Sequence, residues 1–191
     1  IIVFNHRPDT YKHYDEFIAV MDKLWKKRQD FRVWVPLAKN SHRDYLDITK
    51  GNKEWYYNML KHCYVGFSPK QDYGGWSVAT TDGMMNGVPY VMYNDTYYSE
   101  LWPNADFFVS DDVALKLIEY YLDNPEYRNQ KAQEALNWIR TDLNYMTEIR
   151  KMSDYIDELV SETKAVDSSS KYLEIVKKIK QSKQMSKKEL H

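Results

Sequence analysis

The sequence predicts an α/β fold: a doubly wound, Rossmann-like parallel sheet of about six strands with a C-terminal helical extension. Two observations lead to this prediction. Short apolar runs alternate with amphipathic helical patterns from Ile1 to Val109, which is typical of βαβ units. The first run, residues 1–5, is continuously apolar until its polar end, as expected of a strand buried on both faces. Functional groups are then expected at the carboxyl ends of the strands.

The first half of the sheet is predicted from hydrophobic spacing. Phe17, Met21 and Leu24 recur at helical intervals, so an amphipathic helix follows the first strand. Asn52 is of a residue type that caps helices, and a helical segment follows it. The predicted elements are, in order, a strand at residues 31–37, a weaker strand at 45–49, a helix over 53–61 and a strand at 63–68.

Glycine residues divide the second half of the sheet. Gly74 and Gly75 mark a loop, and a helix is expected to follow it from about Ser77 to Asn86. Gly87 is placed to end that helix. Two further strands are then predicted, at residues 88–93 and 106–109.

The chain is helical in pattern from Asp111 onward. The pair Asp111 and Asp112 is expected to cap the first of these helices, and one long helical run is expected from Pro125 to about Lys164. Residues 167–170 interrupt the pattern before a Lys-rich last helix. We therefore divide the chain into a Rossmann-like domain at residues 1–125 and C-terminal helices at residues 126–191.

Composition excludes several classes of protein. The apolar runs are far shorter than the roughly 20 residues that a membrane helix needs, so no membrane-spanning segment is predicted. The single cysteine, Cys63, cannot form an internal disulfide, and a cytoplasmic location is expected. The net charge is −1, but residues 171–191 hold seven Lys against two Glu. The rest of the chain is therefore acidic, which argues against nucleic-acid binding over the whole surface.

Common nucleotide and hydrolase motifs are missing from the sequence. With only six glycines, the chain contains neither a G-x-G-x-x-G nor a G-x-x-x-x-G-K-[ST] segment, so these dinucleotide and P-loop sites are not supported. There is no G-x-S-x-G nucleophile motif, and the five histidines lack metal-ligand spacing. No metal and no cofactor are predicted.

Two features that attract phosphate follow separate predicted strands, and we expect them to converge on one pyrophosphate at the carboxyl edge of the sheet. Arg7 and Lys12 come after the first strand, where a planar guanidinium and an ammonium group can flank a diphosphate. The second feature precedes a helix, where glycines let the backbone approach a ligand and the helix N-terminus favours an anion. Asp82, about one and a half turns into this helix, can accept hydrogen bonds from ribose hydroxyls. The residues of the second feature are Gly74, Gly75, Trp76, Ser77 and Val78.

These features occur in an order that resembles a known family. The set is Arg7-x4-Lys12, the strand CYVGFSP and then GGWSVATTDGMMNGVPYVMYNDTYYSEL. It is similar to the C-terminal, nucleotide-sugar-binding half of GT-B glycosyltransferases of the glycogen-synthase-like, or glycosyltransferase group 1, superfamily. There the order is a basic pair, a strand, a glycine loop, a Glu-Ala-Met helix, Gly-Val-Pro-Val and a later Glu, for which Glu100 stands here. The likeness covers roughly residues 1–125, which would be the donor-binding domain.

The resemblance implies roles for particular residues. Arg7 and Lys12 would contact the donor diphosphate and stabilise it as it leaves, and Asp82 would bind the ribose. The family's first acidic residue falls on Gly74, so its role passes to Asp72 or is absent. The ribose residue is Asp instead of Glu and is one methylene shorter. The resemblance places base recognition at about residues 48–51, including Ile48 and Thr49.

The function implied by the resemblance is metal-independent transfer of a sugar from a nucleotide diphosphate, with a UDP-sugar as the expected donor. Both retention and inversion remain open, and so does the acceptor: a sugar, a protein, a lipid or a modified DNA base. A two-domain enzyme of this type needs an N-terminal acceptor domain, which we expect upstream of Ile1, so this fragment is expected to transfer poorly by itself. Two alternatives are a non-catalytic nucleotide or sugar-phosphate binding module and a Tyr-rich protein-interaction domain.

Overall fold

The computed structural model describes residues 1–40, 42–143 and 145–165. The chain forms two compact units, Ile1–Leu143 and Asn144–His191. The described residues contain a six-stranded, entirely parallel sheet with helices on both faces, which confirms the predicted fold class. The strands are β1 (Ile2–Val3), β2 (Val33–Trp34), β3 (Leu46–Asp47), β4 (Val65–Ser68), β5 (Tyr90–Tyr93) and β6 (Asp106–Phe108). The helices are α1 (Tyr14–Lys27), α2 (Lys53–Leu60), α3 (Val78–Met85), α4 (Thr96–Ser99), α5 (Asp111–Asp123), α6 (Pro125–Thr141) and α7 (Tyr145–Ala165).

The strand order is β3-β2-β1-β4-β5-β6, so the order reverses at the central pair β1 and β4. Ile2 of β1 pairs with Val33 on one side and with Val65 on the other. Parallel strands joined through helices require long crossovers, and the amphipathic segments between the strands supply them. The loops after β1 and β4 therefore leave the carboxyl edge next to each other, at the switch point where ligands bind in such sheets.

Two cores form because neighbouring strand residues face opposite sides of the sheet. Ile2 belongs to the core covered by α1 and α5, whereas Val3 belongs to the core covered by α2, α3 and α6. On the first side, Phe17 of α1 is fully buried and stacks on Phe4 with ring centroids 4.7 Å apart. On the second side, Leu60 and the residues of α3 and α6 pack beneath the sheet.

Tyr90 sets how closely α3 approaches the sheet. Its ring lies against Gly66 of β4 and Gly83 of α3, where a Cβ atom would overlap the phenol. Its hydroxyl donates to Oδ1 of Asn5 at 3.0 Å. The side-chain amide of Asn5 in turn donates to the carbonyl of Ala79 at 2.6 Å. Helix α3 is thereby fixed to the end of the first strand.

Arg128 of α6 closes the opposite, amino edge. Its guanidinium donates to the carbonyls of Tyr64 at 2.8 Å, Gly87 at 2.9 Å and Cys63 at 3.3 Å. Gly87, which follows α3, has a φ of 79°, so it ends the helix in the left-handed conformation that glycine adopts easily. The guanidinium of Arg128 thus donates hydrogen bonds to carbonyls that precede two different strands, β4 and β5.

Helix boundaries follow the predictions in part. Asn52 caps α2 as expected, because its side chain accepts from the backbone N–H of Trp55 at 2.9 Å. The prediction that Asp111 and Asp112 cap α5 is wrong: Ser110 is the N-cap, and the two aspartates occupy the first turn. Their charges favour the helix N-terminus from there.

The long helix expected over residues 125–164 is two helices. Helix α6 ends at Thr141 and α7 begins at Tyr145. The single-helix prediction failed because no glycine or proline marks the break, although Asp142, of a residue type that forms helices poorly, lies in it. The short helix α4 was not predicted; Asp95 caps it by accepting from the backbone N–H of Tyr97. The predicted break at residues 167–170 and the Lys-rich last helix lie outside the described residues.

Candidate functional site

The candidate site lies between two loops at the switch point. The first, which we call the basic loop, is residues 4–13 after β1; the second, the glycine loop, is residues 69–77 after β4. Lys12 of the basic loop donates a hydrogen bond from Nζ to Oε1 of Gln71 in the glycine loop. The backbone N–H of Asp72 donates to the carbonyl of Tyr11 at 3.2 Å. The rings of Tyr11 and Tyr73 stack with centroids 5.4 Å apart. The two loops are therefore in direct contact.

Arg7 and Lys12 share one aromatic ring. The guanidinium carbon of Arg7 lies 5.8 Å from the centroid of Tyr11, and Nζ of Lys12 lies 5.2 Å from it. Burial and then the charge of Arg7 lower the pKa of Lys12. Asp9, which forms an ion pair with Arg7 at 3.4 Å, opposes this effect. The two side chains are both cationic and repel each other. An anion placed between them would be attracted by both and would relieve that repulsion.

The glycine loop is shaped by Gln71. Its amide nitrogen donates to the carbonyl of Gly75 at 3.1 Å and to the hydroxyl of Tyr98 at 2.6 Å. Gly74 has a φ of 108°, a backbone conformation that residues with a Cβ atom rarely adopt. Gln71 therefore connects Lys12, the glycine backbone and the core with a single side chain.

Helix α3 presents its N-terminus at the same place. Ser77 is the N-cap residue, but its side chain makes no capping hydrogen bond to the helix. Instead, Oγ of Ser77 lies 3.1 Å from Nδ1 of the buried His6 at the end of β1. The first N–H groups of an α-helix have no partner within the helix, and its dipole is positive at this end. Backbone donors at Ser77 and Val78 can therefore bind an anion beside the two cations.

A cleft of about 390 Å³ adjoins α3 on the β2 side and includes Asp82. Oδ2 of Asp82 lies 3.4 Å from the hydroxyl of Tyr56, which also accepts from the Asn5 amide at 3.0 Å. Burial raises the pKa of Asp82, and hydrogen bonds from Tyr56 and Tyr57 partly offset that effect. Gly51 and Trp55 line the same cleft. The lining of the cleft therefore includes a carboxylate that can accept hydrogen bonds, aromatic side chains and a glycine, which are groups that can bind a nucleoside.

Two of the residues assigned to base recognition lie beside this cleft without lining it. Ile48 packs against the core on the α1 side of the sheet. Thr49 donates to Oδ1 of Asp47, and its carbonyl accepts from the indole N–H of Trp34 at 3.0 Å. Of the segment 48–51, only Lys50 and Gly51 line the cleft.

Trp76 lies within the packing beneath the glycine loop. Its indole N–H donates to Oγ1 of Thr81 at 2.6 Å. Its ring contacts Tyr98 and Trp138, with centroids 5.4 and 5.2 Å away. Trp76 therefore packs beneath the loop, whereas Gly74 and Gly75 lie in the loop itself and Ser77 and Val78 begin α3.

Several side chains that organise the site were not identified from the sequence. Gln71, His6 and His13 are single polar residues without a motif, and only the apposition of the two loops gives them partners. Asn5 carries one signal in the sequence: it is the polar residue that ends a continuously apolar strand.

Within the described residues, no group of three His, Cys, Asp or Glu side chains is arranged to hold a metal ion. No described helix combines the length and apolar character needed to cross a membrane.

No family model and no curated protein matches the sequence. Solved structures do match the fold. The C-terminal domain of the glycosyl transferase group 1 family protein LpcC from Francisella tularensis has a TM-score of 0.63 at 12% identity, covering 75% of this chain and 85% of that one. HepE from Anabaena, solved in complex with UDP, has a TM-score of 0.68 at 9% identity, covering 82% and 48%.

The catalytic domain of cholesterol-α-glucosyltransferase from Helicobacter pylori also matches, with a TM-score of 0.58 at 16% identity, covering 71% of this chain and 94% of that one. Likeness at these identities defines the fold. The described chain has the fold of the C-terminal domain of a GT-B glycosyltransferase of group 1. The family resemblance found in the sequence is thus confirmed at the level of fold.

Proposed function

We propose that this chain is the donor-binding half of a GT-B glycosyltransferase and binds the nucleoside diphosphate of a nucleotide sugar at its switch point. The observation that carries this proposal is the contact between Lys12 and Gln71. It brings the cations of the basic loop to the glycine loop and the α3 N-terminus, which the sequence predicted as separate phosphate-attracting features.

The diphosphate would lie between Arg7, Lys12 and the backbone N–H groups of Ser77 and Val78. The nucleoside would occupy the adjoining cleft, where Asp82 accepts hydrogen bonds from the ribose hydroxyls and Trp55 offers an aromatic face to the base. A UDP-bound structure among the similar folds supports UDP as the first nucleotide to test. Two cations and the N-terminus of α3 near a mainly apolar cleft suit a nucleotide better than a protein segment.

Sugar transfer breaks the bond between the anomeric carbon and the β-phosphate oxygen, and the acceptor oxygen forms the new bond as it loses its proton. Negative charge develops on the departing phosphate. Arg7, Lys12 and the α3 amides are placed to stabilise that charge, and each preorganised donor of this kind typically contributes about 2–4 kcal/mol. We propose that these groups supply the stabilisation without a divalent cation. The anomeric outcome depends on the acceptor and on the face of the anomeric carbon that the acceptor oxygen attacks.

Calorimetric titration of the 191-residue chain with UDP, ADP and GDP tests the proposal. We expect saturable binding of at least one of them, and a further shift in affinity with the matching nucleotide sugar. Lys12→Ala should weaken binding about 10-fold or more, since it removes a charge-assisted hydrogen bond. Lys116→Ala, an exposed lysine on α5, is the matched control and should bind as the wild type does.

The alternatives give different results in the same experiment. Absence of binding by every nucleotide would contradict the proposal and favour a Tyr-rich interaction domain. Equal affinity for UDP and every UDP-sugar would favour a binding module, since the site would then make no contact with the sugar. Equal affinity in Lys12→Ala and Lys116→Ala would place the nucleotide elsewhere.

A further inference from the structure

His13 lies between the two loops of the site in an unusual backbone conformation. With a φ of 48°, it is the one non-glycine residue with positive φ in the part of the chain that the structure describes. For a residue with a Cβ atom the left-handed region costs about 1–2 kcal/mol. Such conformations persist where surrounding contacts determine them. Here the backbone N–H of His13 donates to the carbonyl of Thr10 at 2.9 Å, its carbonyl accepts from the N–H of Phe17 at 3.2 Å, and its side chain adds two further contacts.

The imidazole of His13 joins two carboxylates. Nδ1 lies 2.8 Å from Oε1 of Glu16 in α1, and Nε2 lies 2.8 Å from Oδ1 of Asp72 in the glycine loop. We call these three residues the His13 clasp. The side chain of His13 is 18% exposed, so the ring is held mostly inside the protein. Asp72 therefore accepts a hydrogen bond from His13. This contact argues against the alternative that Asp72 replaces the acidic residue that is missing at Gly74.

Both hydrogen bonds require the charged form of the ring. An ionised carboxylate only accepts hydrogen bonds, and a neutral imidazole has a single N–H group, whereas an imidazolium has two. Burial lowers the pKa of His13, but the hydrogen bonds that the ring donates to Asp72 and Glu16 outweigh this effect and raise the pKa above its ordinary value. Glu16 from α1 and Asp72 from the glycine loop are the charged groups that face the ring. The neighbouring Lys12 directs its Nζ to Gln71.

The clasp is placed directly beside the contact that forms the site. His13 follows Lys12 in the chain, and Asp72 follows Gln71. The ion pair between His13 and Asp72 therefore fastens the two loops one residue away from the hydrogen bond between Lys12 and Gln71. The backbone hydrogen bond from Asp72 to Tyr11 runs parallel to it. Opening of the clasp would leave fewer contacts between the glycine loop and the basic loop, chiefly those of Lys12 with Gln71 and of Asp72 with Tyr11.

We propose that His13 is a positioning residue for the phosphate site: its imidazolium holds the glycine loop against Lys12, so the chain binds a diphosphate more tightly when His13 is protonated. This inference rests on the proposed function, because it assigns a regulator to the same site. His13 touches neither the diphosphate nor the reacting atoms in this assignment and acts through Asp72.

Calorimetric titration with UDP between pH 6.5 and 9 tests the proposal. In the wild type, affinity should fall about fivefold as His13 loses its proton, the change expected from losing about one hydrogen bond. In His13→Asn this component of the pH dependence should be missing, because Asn tolerates the left-handed conformation but does not titrate. Changes in the protonation of UDP or of Lys12 affect UDP binding in both proteins. The difference between the two pH profiles therefore gives the contribution of His13.

The NMR titration of the His13 ring in the free chain provides a second readout that needs no ligand. We expect the pKa of His13 to be raised in the wild type and to fall in Asp72→Asn. Identical pH profiles for UDP binding in the wild type and His13→Asn would overturn the proposal while leaving the donor site intact. A uniform loss of affinity in His13→Asn at all pH values would also overturn it, since that is a purely structural effect. Binding of no nucleotide by the wild type would instead contradict the proposed function, and the ring titration would still test the clasp.

Discussion

The hydroxyl of Ser77 lies 3.1 Å from Nδ1 of His6, and this contact joins the N-terminus of α3 to the end of β1. Ser77 could have capped its own helix, but its side chain is directed to His6 instead. The first amides of α3 therefore face the carboxyl edge without a side-chain cap. The ring of His6 is buried, and burial lowers its pKa, which favours the neutral form inside the protein.

The stability of the chain should depend on His6 in mild acid. Burial, and to a lesser degree the charge of Lys12, lowers the pKa of His6 to about 3. In the unfolded chain histidine has a pKa of about 6.5, so between these values the unfolded state binds a proton that the folded state does not. The free energy of unfolding should fall as pH falls through this window, by up to about 1.4 kcal/mol per pH unit.

Urea denaturation of the wild type and His6→Asn at several pH values from 7 to 4 checks this prediction. The variant lacks the titrating ring, so its stability should depend less steeply on pH. Parallel pH dependence in the two proteins would show that His6 is protonated in the folded state without cost.

Gly83→Ala should destabilise the chain although it lies in a helix. Alanine replaces glycine in a helix interior with a gain of about 1 kcal/mol. At Gly83, however, the added methyl would overlap the ring of Tyr90, which is 1% exposed and has no room to withdraw. We expect a net loss of about 1–3 kcal/mol, the usual cost of overpacking.

A double-mutant cycle with Tyr90→Val separates the two effects of Gly83→Ala. In that background the overlap is gone, and the alanine should become neutral or stabilising in urea denaturation. The same penalty in both backgrounds would mean that the contact with Tyr90 is not its cause.

Arg128→Met should cost about 2–4 kcal/mol of stability, because it leaves the carbonyls of Cys63, Tyr64 and Gly87 without their guanidinium donor. The urea midpoint measures this loss. Lys116→Met on the exposed face of α5 removes a cation of similar length without known partners and should change the midpoint little. Equal midpoints for the two variants would contradict the assigned role of Arg128.

Asp82→Asn should weaken UDP binding about 10-fold, because the carboxylate is proposed to accept hydrogen bonds from the ribose. The corresponding 2′-deoxy nucleotide should lose less affinity on the same substitution, since it offers one hydroxyl fewer. Isothermal titration of both ligands against both proteins measures the coupling. Asp112→Asn, whose side chain is 79% exposed on α5, serves as the control. Equal losses for the two ligands would remove Asp82 from the ribose contact.

Local signals in the sequence were sufficient for most of the fold. The spacing of Phe17, Met21 and Leu24 predicted α1, and Asn52 predicted the start of α2, because both depend only on neighbours along the chain. The end of α6 at Thr141 was missed because no glycine or proline marks the break that follows it.

The site was predictable in outline. Arg7, Lys12 and the glycine loop were expected to meet at the carboxyl edge of the sheet, and their contact follows from the strand order, which places β1 beside β4. Gln71 and His13 could not be identified, since a single Gln or His carries no spacing signal. Their roles arise from contacts between two loops that are about 60 residues apart in sequence.

The central claim, that the basic loop and the α3 N-terminus bind one diphosphate, is tested most directly by an NMR titration of the isotope-labelled chain with UDP. We predict the largest chemical-shift changes at Lys12 and at the backbone amides of Gly75, Ser77 and Val78, with little change at Lys116. The account would be contradicted if UDP binds and shifts only one of the two loops, or if the changes cluster away from both.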